Sequence, residues 1–140
     1  MKTPQIIPRL FVCILVVAAA SIAFGAEDKV HTPEIGSVER KVIVDSVRAA
    51  YAEQDPAKPP VIFVVPYLKV HGNWAWIRVE PQTKDAKQHY EPQSGLFRHE
   101  GERWVLVTWQ PAEEGTDVPA FFKELKAKYP ELPADILPKN

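Results

Sequence analysis

The sequence predicts an α+β protein: a helix, four antiparallel strands in two hairpins, and a second helix near the C-terminus. Three observations carry this. Ile43, Val47, Ala50 and Tyr51 recur at the spacing of one helix face. Trp74 to Glu80 alternates, with Ala75, Ile77 and Val79 pointing one way and Trp74, Trp76, Arg78 and Glu80 the other. Gly72-Asn73 and Glu100-Gly101-Glu102 are tight turns between β-rich runs, which join neighbours antiparallel.

The chain opens with Lys2 and Arg9, an uncharged run from Leu10 to Phe24, and the small residues Ala23 and Gly25 around Phe24. Positive start, apolar run and small-residue site are the three parts of a secretory signal. Residues 1–25 are therefore expected to be a signal peptide cut after Gly25. The 15-residue run is shorter than the roughly 20 that a spanning helix needs, so no stable membrane insertion is expected after cleavage. The expected location is periplasmic or secreted. Cys13, the sole cysteine, lies early in the apolar run, where it is an ordinary signal residue and not a lipid-attachment site. The mature chain then has no disulfide and no thiol ligand or nucleophile.

Residues 26–36 are polar and aperiodic and are read as a linker or arm, with one domain over residues 37–138. Ser37 is the expected N-cap of the first helix, Val38 to about Ala52, with Glu39 at its positive end. Asp55-Pro56 and Pro59-Pro60 end it. Val61 to His71 is the first strand, which Pro66 places at a sheet edge or marks with a bulge. Trp74 to Glu80 is the second, stopped by Pro81. A polar loop, Gln82 to Gln93, leads to strands at Ser94–His99 and Arg103–Gln110. Asp117 caps the second helix, Pro119 sits in its first turn, and Phe121, Phe122, Leu125 and Tyr129 form its stripe. Pro130 ends it, and Ile136 and Leu137 pin the tail.

Element order is similar to cystatin-like and NTF2-like rolls, in which a curved sheet wraps a helix. More specific residues resemble small secreted bacterial proteins of unassigned function. These residues are Arg40…Asp45…Arg48 in the opening helix, Gly72-Asn73-Trp74-Ala75-Trp76 in the strand pair, and the hairpin from Gly95-Leu96-Phe97-Arg98 through Gly101 to Trp104-Val105-Leu106-Val107. Thr116-Asp117-Val118 and Pro133-Ala134-Asp135-Ile136 complete the pattern. The resemblance implies a secreted bacterial domain and carries no activity.

Loss of Lys2 and Arg9 takes Lys+Arg from 17 to 15 against 18 Asp+Glu, a net charge of −3. That points away from nucleic acid and anionic membrane as partners. His31, His71, His89 and His99 lack metal-ligand spacing; His71 and His99 meeting across strands is the one arrangement to test. No metal or other cofactor is expected. Ser94 lacks the strand–turn–helix setting of an exposed nucleophile, and Glu80, Asp85 and Glu91 are carboxylates at or near a polar loop. Asp45 and Arg48 are spaced for a surface ion pair, with Arg48 also placed to tie the helix end to a strand.

Without a positioned catalytic constellation, the expected function is a non-catalytic binding or accessory module of the bacterial envelope. Alternatives are a small NTF2-like enzyme or ligand-binding roll, and an inhibitor of an envelope or host enzyme. The expected partner surface, for a protein or small ligand, is Trp74, Trp76 and Arg78, aligned with Trp104 across the sheet if that face is open. If the opening helix covers the face, these tryptophans are core. Dimerisation through the sheet edge is a further option.

Overall fold

The computed structural model describes residues 29–139. The signal segment, its cleavage site and Cys13 lie outside the described residues. Helix α1 spans Val38–Gln54, slightly beyond its expected end. Ser37 Oγ accepts from the Arg40 amide at 3.2 Å, satisfying a backbone donor that the first turn leaves without a helical partner. Ile43, Val47 and Tyr51 are its buried face. Asp45 pairs with Lys41 one turn back, not with Arg48. Arg48 instead donates from Nη1 to the Val61 carbonyl at 2.9 Å and lies over the Phe63 ring, joining the helix end to the first strand.

The strands are β1 Ile62–His71, β2 Trp74–Gln82, β3 Gln93–Glu100 and β4 Arg103–Trp109. They form one antiparallel sheet in the order β1-β2-β3-β4. Gly72 (φ 59°) and Gly101 (φ 65°) take the left-handed backbone that the two short turns demand. Pro66 satisfies both expectations: β1 is an edge strand, and its register shifts between Val64 and Tyr67.

Pro81 does not stop β2, which continues to Gln82 with Pro81 opposite Phe63. Its carbonyl accepts from the Tyr90 amide at 2.8 Å, on the side away from β1. A strand residue turns its nitrogen and carbonyl to the same side, so the missing N–H costs the β1–β2 ladder nothing.

Helix α2 is Val118–Lys128, capped by Asp117, whose Oδ1 accepts from the Ala120 amide at 2.9 Å. A single 3₁₀ turn follows at Ala134–Ile136. The sheet has helix on both faces. Against α1 lie Leu68, Val70, Ala75, Ile77, Val79 and Phe97. Against α2 and the tail lie Trp74, Trp76 and Leu96, packed on Phe122, Leu125 and Ile136. Each such large side chain removed from water contributes about 1.5–3 kcal/mol, so two clusters give a chain this short a substantial core.

The ends are tied down. His31 exchanges two backbone hydrogen bonds with Val70, both 2.9 Å, and its Nε2 lies 3.1 Å from Glu39 Oε2. His31 and Pro33 are thus held against the domain, the Pro33 carbonyl accepting from Arg40 Nη1 at 3.1 Å. At the other end His71 Nδ1 lies 2.8 Å from Asp135 Oδ1. No helix among the described residues is long and apolar enough to cross a membrane.

Candidate functional site

Trp74, Trp76 and Arg78 share one face of β2, as their alternation requires, but they do not form one surface. Trp76 is 0 % exposed and Trp74 5 %, whereas Arg78 is exposed with its Nε 3.9 Å from Glu80 Oε1. The cover is α2 and not the opening helix. Trp76 meets Phe122 edge-on at 5.2 Å between ring centroids, and Trp74 lies 5.5 Å from the Tyr129 ring. Arg98 closes Trp74 from outside, its guanidinium 5.6 Å from the indole, and burial of the tryptophan pair is complete enough that Trp76 Nε1 has no partner among the described residues. Trp104 does not align with them. It pairs with His99, stacks on it at 5.0 Å, and belongs to the α1 cluster on the opposite face.

The other chemical candidates separate in the same way. His71 shares the row of Trp74 and Arg98, and His99 is one residue beyond Arg98, so the two histidines lie on opposite faces. No metal-holding group of three or more His, Cys, Asp or Glu exists among the described residues. Ser94 is buried, and the hydrophobic cluster beneath α1 ends at a small hollow lined by Glu39, Val42, His99 and Trp104. Asp85 is held in its own loop. The Thr83 hydroxyl, donating at 2.6 Å, and the Lys87 amide hold its carboxyl below the ordinary carboxylate range.

Besides a hollow of about 250 Å³ lined by Gln54, Glu91, Gln93, Trp109, Gln110 and Ala112, the described residues form at least two more of similar size. One, of about 280 Å³, lies under the prolines after α1, lined by Arg48, Tyr51, Lys58 and Pro59. There Arg48 holds Val61 and Lys58 lies over the Tyr51 ring at 4.5 Å, as Lys128 lies over the Tyr129 ring at 5.5 Å. The other, of about 230 Å³, is a groove between β4 and α2, lined by Val107, Thr108, Phe121, Glu124, Leu125 and Lys128 with Tyr129 at its end. The register shift in β4 falls at Val107, since Phe97 pairs with Leu106 and Leu96 with Thr108. This bulge puts consecutive residues Val107 and Thr108 on the α2 face, where strict alternation would turn one of them away. They form the groove floor. Phe121 forms the wall because its neighbour Phe122 already points into the core, and successive helix residues diverge by about 100°.

The groove runs beside an open sheet edge. The β1 edge is closed by His31 at Val70, by Arg48 at Val61, and by the bulge at Pro66 between them. At β4 the His99 amide donates towards Asn73, on the β2 side, so the opposing Trp104 makes no ladder bond with it. Trp104 and, two residues on, Leu106 therefore turn their N–H and C=O outward. Among the described residues nothing pairs with that outer edge.

The sequence reading did not single out this groove. Adjacent Phe121-Phe122 was its one legible sign, since both cannot face one core. Comparison of the chain with family models, curated proteins and solved structures finds no match.

Proposed function

We propose that this chain is an exported, non-catalytic binding module of the bacterial envelope that takes its partner along the β4–α2 groove. The observation that carries the reading is that groove itself: a floor of Val107 and Thr108 and a wall of Phe121, rimmed by Glu124 and Lys128, beside an edge strand whose outer backbone groups pair with nothing among the described residues. At about 230 Å³ it falls below the roughly 300 Å³ at which pockets begin to enclose a drug-sized ligand, which favours a protein contact over a small molecule. The signal-like N-terminus supports export. The likeness to cystatin-like and NTF2-like rolls is one of element order and adds no activity.

Capture from envelope extract tests it, with wild-type protein and a Phe121→Ser, Lys128→Glu variant of unchanged circular dichroism as baits. A stoichiometric protein held by the first and lost from the second supports the reading. A partner retained equally by both moves the site elsewhere on the molecule.

A further inference from the structure

The β4–α2 groove offers two kinds of contact at once, and together they describe its occupant. We propose that an extended segment of a partner protein adds antiparallel to β4 as a fifth strand, with alternate side chains set into the groove. The proposal rests on the binding-module reading above and names the partner's form.

The backbone half comes from the edge. Trp104 and Leu106 present donors and acceptors that nothing among the described residues pairs with, while the β1 edge is blocked at three points. An added strand is satisfied by main-chain hydrogen bonds with any sequence. Beyond the Val107 bulge the Trp109 carbonyl accepts from Thr108 Oγ1 at 3.1 Å, so the ladder is confined to the Trp104–Leu106 stretch.

The side-chain half comes from charge. Glu124 and Lys128 are one helical turn apart, a rise of about 6 Å. Alternate residues of a strand are about 6.6 Å apart on one face, close to the same step. The groove therefore matches a segment with a basic residue opposite Glu124, an acidic residue two positions away opposite Lys128, and an apolar residue against Phe121 and Leu125. A second copy of this chain pairing through β4 is the competing occupant.

The test selects a phage-displayed library of random nonapeptides on the purified protein, then measures affinity for the enriched peptides carrying single N-methyl amides. The expected peptides alternate apolar, basic and acidic residues. N-methylation of the amides facing β4 weakens them about tenfold, and methylation of the intervening amides has little effect. Bound peptide slows hydrogen exchange at the Trp104 and Leu106 amides, and Lys128→Glu reverses the preference for an acidic residue.

Enriched peptides that shift groove resonances without alternating N-methyl sensitivity would overturn strand addition and leave the binding module standing. Peptides that map elsewhere, or no enrichment, would overturn the proposal, while extract capture judges the module separately. Concentration-dependent protection of Trp104 and Leu106 in the protein alone would give the edge to a second copy and overturn it too.

Discussion

Tyr67, on the edge strand, donates its hydroxyl to the carbonyl of Ile136 at 2.9 Å, joining residues 69 apart in the chain. The bond fastens the C-terminal 3₁₀ turn over the second face of the sheet, and Ile136 beside it is fully buried. The covering of Trp74 and Trp76 depends on this closure as well as on α2.

Alkali should loosen that closure. Burial, and then the negative charge of Asp135, hold the Tyr67 phenol above its ordinary value of 10.0; burial, with Tyr90 and Asp55, does the same to Tyr51. The folded state thus keeps these protons more tightly than the unfolded chain. Their contribution is complete below about pH 10 and is lost as pH rises through the folded values. Urea midpoints measured from about pH 8 to pH 11 should fall on the alkaline side, and the fall should be shallower in Tyr67→Phe.

Trp76 should behave as core. Trp76→Ala is expected to destabilise the fold by about 3–5 kcal/mol in urea denaturation, the range for deleting a large buried aromatic. The unpartnered Nε1 offsets part of what the indole contributes by burial, so Trp76→Phe should cost clearly less. A surface tryptophan would leave the midpoint within about 0.5 kcal/mol of wild type.

The elements were legible because their signals are local. Ser37 and Asp117 are caps, Ile43, Val47 and Tyr51 repeat at helical spacing, and both glycine turns sit between alternating runs. The fate of the tryptophan face was not legible, because both faces of β2 are apolar at alternate positions and two helices were available to cover them. The phase of Trp104 followed from the register of the β3–β4 turn, and a shift of one residue exchanges faces. The groove was hidden for a similar reason, since the bulge that places Thr108 beside Val107 leaves no mark in composition.

Gly95 is required for space. A Cβ there would lie 2.8 Å from Trp109 Cε3 and 3.2 Å from Phe97 Cε2, where Trp109 packs edge-on to Phe97. Gly95→Ala should therefore destabilise by about 1–3 kcal/mol through overpacking, and the near-ultraviolet circular dichroism of the tryptophans should change with it.

Removing Arg48 should open the guarded edge. Arg48→Ala frees the Val61 carbonyl and uncovers Phe63, beside exposed Ile62 and Val64. The expected loss of stability is small, about 1 kcal/mol, because the side chain is exposed. The larger effect should be association, seen by light scattering as concentration rises, since an exposed apolar edge is a template for pairing.

The contrast between a closed and an open sheet edge is tested most directly by amide hydrogen exchange in the free protein, resolved residue by residue. Val105, whose amide faces Arg98, and Val70, bonded to His31, should be protected, while Trp104 and Leu106 exchange quickly. Slow exchange at Trp104 and Leu106 in dilute, unliganded protein would show the β4 edge already paired and would contradict the account.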